Sequence, residues 1–358
     1  MVKRITKALV LTLALLGCTS KTSPTSPPLA PPKELRIFTW SEYFKDDLLN
    51  AFEKETGIKV KADYYSSNEQ MLSKIQLTLS SNEPGYDLII PSDYMVRTLI
   101  ELNLLSPLDH GKLPFLADFD AAAKNPGYDP GLKYALPLAI GVTGIAVNTN
   151  LVPNFPFDKG ITWKEAFENP AYKGKLTVLD DTKEVLQAAL IVAGKDLEKA
   201  SNDDIQKAFQ YLKAHKSQIK AFTAETRPVL EAEECGICMT YSGDVLSVAK
   251  DKKQIRFVIP KDGATLWSDN FAIPKNARNP DLAHRFISAV LAPEAAKAFT
   301  ERTGYRTANL KAKALLAKEV AENPIIFPQE KASTFHSIVD RKDQTLMIDK
   351  EWTLLKSN

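Results

Sequence analysis

Residues 35–91 read LRIFTWSEYFKDDLLNAFEKETGIKVKADYYSSNEQMLSKIQLTLSSNEPGYDLIIP, and the periodicities in this stretch decide the fold class. Leu35-Arg36-Ile37-Phe38-Thr39-Trp40 is β-rich, with Leu35, Ile37 and Thr39 on one face. Residues 47–56 carry Leu48, Leu49 and Phe52 at helical spacing, and Gly57 stands where a helix-ending glycine would. Residues 58–62 alternate as a strand, and residues 71–79 return to helical spacing. Residues 87–90 form a short apolar run bounded by Gly85 and Pro91. Strand, helix, strand, helix, strand is the order of βαβ units around a mostly parallel sheet.

The same order restarts after Ala135. Residues 144–147, 176–179, 235–241 and 255–259 read as strands, and residues 183–192, 203–216, 280–291 and 293–303 as helices. No repeat of fixed period is present. The chain has 358 residues, long enough for two α/β domains that each bury a core.

Lys plus Arg is 46 against 44 Asp plus Glu, so there is no basic field of the kind that holds nucleic acid. Three cysteines in this length exclude a disulfide-built scaffold. At the N-terminus, Lys3, Arg4 and Lys7 precede the apolar run 8–16, which is far short of the roughly 20 residues that span a bilayer. It reads as a signal peptide over residues 1–17, ending in Leu15-Leu16-Gly17-Cys18. Cleavage there removes three of the 46 bases, and the slight basic excess goes with them. Residues 18–33 add a Ser/Thr/Pro-rich stretch too polar to pack, a tether that gives reach.

Signatures of catalysis are missing: no Gly-x-Ser-x-Gly, no phosphate-binding lysine loop, no His-Glu-x-x-His. His110, His215, His284 and His336 are scattered without metal-like spacing. Cys235-Gly236-Ile237-Cys238 is open to three readings: a redox pair, half a zinc site, or two free thiols at the start of a strand. If the segment is extended, the two cysteines stand about 10 Å apart, beyond the roughly 7 Å limit for a disulfide. A turn at Gly236 would permit bridging.

The more telling pattern sets aromatics beside carboxylates where elements end. Trp40-Ser41-Glu42-Tyr43 follows the first strand, and Leu266-Trp267-Ser268-Asp269 repeats Trp with an acid two residues on. In extended chain these two side chains point to one side, an indole and a carboxylate facing one ligand. That pairing suits an ammonium group, which the ring face attracts and the carboxylate binds. Each Trp alone would equally serve as core. Asp181 and Glu184 follow a strand and open a helix, either as a capping box or as ligand acids. Ser92 and Tyr94 stand at the carboxyl edge of a strand, where open α/β sheets bind ligands. Tyr241, Asp244 and Tyr305 complete the candidates.

With these residues in view, the chain resembles the spermidine/putrescine-binding proteins of bacterial ABC importers, from about residue 35 to residue 356. The motifs that carry the likeness are Trp40-Ser41-Glu42-Tyr43, Glu55-Thr56-Gly57-Ile58-Lys59-Val60, Tyr86-Asp87-Leu88-Ile89-Ile90-Pro91-Ser92, Asp180-Asp181-x-x-Glu184-Val185, Trp267-Ser268-Asp269, Phe271-Ala272-Ile273-Pro274 and Gly304-Tyr305. Leu15-Leu16-Gly17-Cys18 similarly resembles the lipobox of bacterial lipoproteins, which implies acylation of Cys18 and a membrane anchor.

The resemblance implies an α/β two-lobe periplasmic-binding-protein clamp of type II, each lobe a mostly parallel sheet flanked by helices, joined by crossing hinge strands. Lobe 1 would be 34–141 plus 269–313, and lobe 2 would be 142–268 plus 314–358. Trp40, Tyr43, Tyr94, Tyr241, Trp267 and Tyr305 would wall the cleft. Glu42, Asp181, Glu184 and Asp269 would hold ammonium groups, with Ser92 and Ser41 adding hydrogen bonds. Asp244 follows the putrescine-type members, Glu42 and Asp269 the spermidine-type ones, and His336 falls near a position where some members use Gln. Where many members carry a Trp in the segment matching Leu138-Ala139-Ile140-Gly141, this chain has none, and a wider cleft is expected there.

The expected function is an exported, lipid-anchored polyamine-binding protein, spermidine ahead of putrescine, that delivers its ligand to an ABC permease. No enzyme activity, cofactor, metal or nucleic acid is expected. The alternatives are the same clamp binding another small solute, or an exported thiol or metal enzyme using Cys235 and Cys238.

Overall fold

A computed structural model describes residues 33–41, 43–81, 85–328 and 335–357. The expected signal peptide, Cys18, all of the expected tether before Lys33, and Glu42 lie outside the described residues. The strands are β1 (Glu34–Thr39), β2 (Lys59–Tyr64), β3 (Leu88–Ile89), β4 (Ala135–Asn148), β5 (Leu176–Leu179), β6 (Ile219–Thr223), β7 (Ile237–Tyr241), β8 (Ile255–Val258), β9 (Ala264–Ala272) and β10 (Phe335–His336). They run in the order β2-β1-β3-β9-β4-β7-β5-β6, with β10 beside β9 and β8 beside β4.

The first βαβαβ unit forms as its periodicity predicts. The helix Asp46–Thr56 ends on Gly57 at φ 68°, whose N–H bonds the Glu53 carbonyl. β1 then lies parallel to β2 and β3, and β5 lies parallel to β6 and β7. These are the two wings. The centre departs from a mostly parallel reading, because β4 is antiparallel to β7, β8 and β9, and β9 to β3.

β4 is the element that the sequence hid. It is a continuous strand whose every residue is buried, yet only residues 144–147 stand out by pattern. Pro137, Gly141 and Gly144 break the apolar run, and such residues ordinarily argue against a central strand. The chain accommodates Pro137 with a register irregularity between Pro137 and Ala139.

Two large cores form on either side of β4 and β9. One is assembled from Leu35 through Ile140 with Trp267 through Ala308. The other is assembled from Ile145 through Met239 with Ile338 through Leu355. Each core draws on two separated parts of the chain, so the polypeptide crosses between lobes along β4 and again along β9. This is the two-lobe clamp with crossing hinge strands. The carboxyl ends of β1, β2, β3 and β5 lead into Trp40, the helix Asn68–Ser80, Ser92 and Asp181, and Tyr241 is the last residue of β7; the ligand edge of an open α/β sheet is that edge.

Candidate ligand-binding site

Asp269 sits in mid-strand in β9, opposite Ala139 of β4, and makes a bridge to Ser92. Its carboxylate is buried. Ser92 Oγ donates to Oδ1 at 2.6 Å, and the Tyr43 hydroxyl donates to Oδ2. Ser92 occupies the N-cap of the helix Asp93–Glu101 without capping it. A serine there ordinarily spends its hydroxyl on a helix N–H; this one gives it to Asp269 and accepts from Asn68 Nδ2 at 3.0 Å. Burial pushes the Asp269 carboxyl up to about 6, even though both hydroxyls favour the ionised form.

Across the cleft, Asp181 caps the helix Thr182–Val192, accepting from the N–H groups of Lys183 and Glu184 at 3.0 and 3.1 Å. Glu184 does not reach back to complete a capping box. It turns to β4, where Thr143 Oγ1 donates to its Oε1 at 2.8 Å. Its other oxygen is buried without a close hydrogen bond, and the Thr265 side chain beside the carboxyl adds to Thr143 in favouring the ionised form. Burial first, and the neighbouring Asp181 second, push the Glu184 carboxyl up to about 8. Burial raises Asp181 as well. Asp93, which sequence reasoning missed, is a fourth such acid. It accepts its own helix's Tyr94 N–H at 2.8 Å, and burial drives it to about 7.

Aromatic rings connect these acids: Tyr43 bonds Asp269, and Tyr241 senses Asp181 and Glu184. Trp267 packs edge-on to Tyr305 and Tyr241 at 5.1 and 5.6 Å between ring centres, and Tyr43 reaches Tyr305 at 6.1 Å. Trp40 donates from Nε1 to the Ile90 carbonyl at 3.0 Å and packs against Tyr65, a second residue the sequence did not mark. Asp244 accepts from Thr226 Oγ1 at 2.6 Å and from the Tyr305 hydroxyl at 3.5 Å. Tyr94 lies under the Lys183 ammonium.

Two expectations need amending. The Trp–acid repeat is not one geometry used twice. Trp267 and Asp269 share a face of an extended strand, whereas Trp40 leads into a turn in which the Tyr43 N–H bonds the Trp40 carbonyl at 3.4 Å. That turn sends Tyr43 inward and leaves Ser41 exposed. His336 packs on Gly263, with its Nδ1 3.7 Å from Asp196 Oδ2; the structure does not join it to the acids above.

The cysteines are both free and both buried. The strand begins only at Ile237, so the segment from Cys235 is not extended throughout, and the two thiols touch. The hydrogen bond to Cys235, and then burial, push the Cys238 thiol well up, away from the thiolate that redox or nucleophilic work requires.

The Leu138–Gly141 segment is buried, and the Trp267 indole lies across Gly141. A Cβ on Gly141 would stand 2.3 Å from Trp267 Cζ2. Gly141→Ala therefore displaces that ring, with an expected stability loss of about 1–3 kcal/mol and weaker ligand binding. Urea unfolding and a ligand titration check both; full stability with an unmoved tryptophan spectrum would show that the ring has room to give.

Residues 47–328 match the family described as bacterial extracellular solute-binding protein. The chain belongs to that family. Among curated relatives, it is 36% identical over 293 residues to the spermidine/putrescine-binding periplasmic protein 1 of Haemophilus influenzae, covering 82% of this chain and 80% of the relative. It is 32% identical over 350 residues to the putrescine-binding periplasmic protein PotF of Escherichia coli, covering 91% of this chain and 92% of that one. Among solved structures, the spermidine/putrescine ABC transporter substrate-binding protein PotD of Streptococcus pneumoniae superposes with a TM-score of 0.77 at 30% identity, covering 90% of this chain and 98% of that chain. The sequence resemblance thus holds at the level of family. These relatives are named for solute binding and transport, not for catalysis. No helix among the described residues is long and apolar enough to cross a membrane.

Proposed function

We propose that this protein closes on a linear polyamine, spermidine ahead of putrescine, and delivers it to an ABC permease. One observation carries the reading. Asp269, Glu184 and Asp93 are buried and Asp181 is half-buried, all four have raised proton affinity and sense one another beside the Tyr43 and Tyr241 rings, and Glu184 keeps an oxygen without a close hydrogen bond. Buried carboxylates without cations are costly, and a folded protein that keeps several together is arranged for a cationic ligand. Several acids suit a di- or tri-cation better than a single amine. The names of the relatives support the same class, and they include both spermidine and putrescine binders, so the preference for spermidine rests on Asp269 and Glu42.

In this reading lobe 1 is 34–141 plus 269–313 and lobe 2 is 142–268 plus 314–358. Ligand bridging both lobes binds the closed form better and shifts the population toward it. The walls are Trp40, Tyr43, Tyr241, Trp267 and Tyr305, with Tyr94 beside them under the Lys183 ammonium, and Asp244 follows the putrescine-type members. The chain is exported and held at a membrane by acylated Cys18, with residues 18–33 as tether.

The test is calorimetric titration of the full-length chain, refolded from denaturant to remove any co-purifying solute. Tight one-to-one binding of spermidine, with putrescine weaker, is the expected result. Folded protein that gives no heat with either would assign the clamp to another solute.

A further inference from the structure

Lys183 is out of place by the rules of helix ends. It stands in the first turn of the helix Thr182–Val192, where the helix dipole favours acids over bases. Its ammonium leaves the helix and crosses to the other lobe, where Nζ lies 2.7 Å from Glu69 Oε1 and 4.7 Å from the centre of the Tyr94 ring. The Tyr94 hydroxyl donates to the same Glu69 oxygen at 3.1 Å. An ammonium over an aromatic face and on a carboxylate is what such a cleft offers a ligand amine. Here the chain supplies the amine itself.

The surroundings make this a built contact. Tyr94, Thr98 and Glu101 share one face of the helix Asp93–Glu101. All three bond the second lobe: Tyr94 through Lys183, Thr98 Oγ1 to Asp340 Oδ2 at 3.2 Å, and Glu101 in an ion pair with Lys342. Of the second-lobe partners, Lys183 is the one next in sequence to a buried acid of the cleft, Glu184.

We propose that Lys183 is a tethered ammonium that caps the charge of the ligand. It fills a seat made of Tyr94 and the exposed Glu69, so the bound polyamine presents one ammonium fewer than Glu69 and the buried acids together would accept. The inference rests on the polyamine reading and makes Lys183 a specificity-determining residue of that site. Without it, Tyr94 and Glu69 would receive an amine of the ligand, and like-charge repulsion against longer polyamines would vanish.

The experiment titrates putrescine, spermidine and spermine, with two, three and four ammonium groups, into the full-length wild type, Lys183→Met, Lys183→Gln and Lys183→Arg. In the two neutral variants the spermine-to-putrescine affinity ratio rises at least about tenfold, the effect of one charged hydrogen bond gained. Lys183→Arg keeps the wild-type ratio. If all three affinities fall by a common factor, Lys183 is only an interlobe contact and the inference is overturned; unchanged affinities overturn it equally. Wild type that binds no polyamine overturns the functional reading itself, and this inference with it.

Discussion

Glu184→Gln and Asp269→Asn each lower polyamine affinity by about 1.5–3 kcal/mol, roughly 10- to 150-fold, while the ligand-free protein gains stability at alkaline pH. The loss follows from the proposed role of each carboxylate: both are buried, and in the proposed complex each would be ionised against a ligand ammonium. The gain follows from the linkage between protonation and folding. Both groups have folded-state proton affinities above their ordinary values, Glu184 at about 8 and Asp269 at about 6. A folded state that holds its protons more tightly is favoured below the unfolded value, and that advantage is lost as pH rises through the folded one. At pH 9 the ligand-free wild type therefore carries ionised, uncompensated buried acids. Each amide variant carries one fewer.

At Asp269 the Ser92 and Tyr43 hydroxyls can rotate to accept from the new amide, so the exchange leaves little unsatisfied. Thermal unfolding of ligand-free protein at pH 5 and pH 9, beside a titration at pH 8, reads both effects. Two outcomes would sink the assignment: affinity kept in both variants, or affinity and alkaline stability lost together, which would make the acids structural.

Opposite effects on binding and stability are the mark of groups kept for function at a cost to the fold. They also explain what the sequence could and could not disclose. The unit from β1 to β3 was legible because every level agreed there: alternation, helical spacing, and a glycine at the left-handed end of the helix Asp46–Thr56. β4 was legible only in part, since Pro137 and Gly141 violate the strand pattern. Gly141 does so because the Trp267 ring needs the space a side chain would take.

Within the site, Trp267 and Asp269 could be paired from sequence because strand geometry fixes the relation of residues two apart. Asp93 could not be found that way. An acid in the first turn of a helix is what the dipole favours in any protein, and nothing local tells a solvated one from one buried beside Asp269. Lys183 was hidden for a similar reason: its meaning depends on Glu69 and Tyr94, more than 80 residues away in the chain. Ser92 carried a usable signal, an N-cap residue whose hydroxyl has a competing partner, but that partner comes from β9.

Acidification should empty the cleft. Alkyl ammonium groups stay charged below pH 9, near the lysine reference of about 10.4, so only the protein's acids titrate in the neutral range. Glu184 at about 8, Asp93 at about 7 and Asp269 at about 6 take up protons in turn as pH falls. A cation needs them ionised, so binding at pH 7 expels protons, about one to two by these values. The logarithm of affinity should fall with a slope near one below pH 8 and steepen toward pH 6, giving at least about 100-fold weaker binding at pH 6 than at pH 8.5. Because Glu184 and Asp181 sense one another, the steps belong to the cluster rather than to single residues. Calorimetry in buffers of different ionisation enthalpy counts the released protons directly, and Glu184→Gln should remove the first unit of slope. An affinity flat between pH 5.5 and 8.5, with no proton release, would mean that these acids are already ionised in the free protein and that the ligand meets charges held by other means.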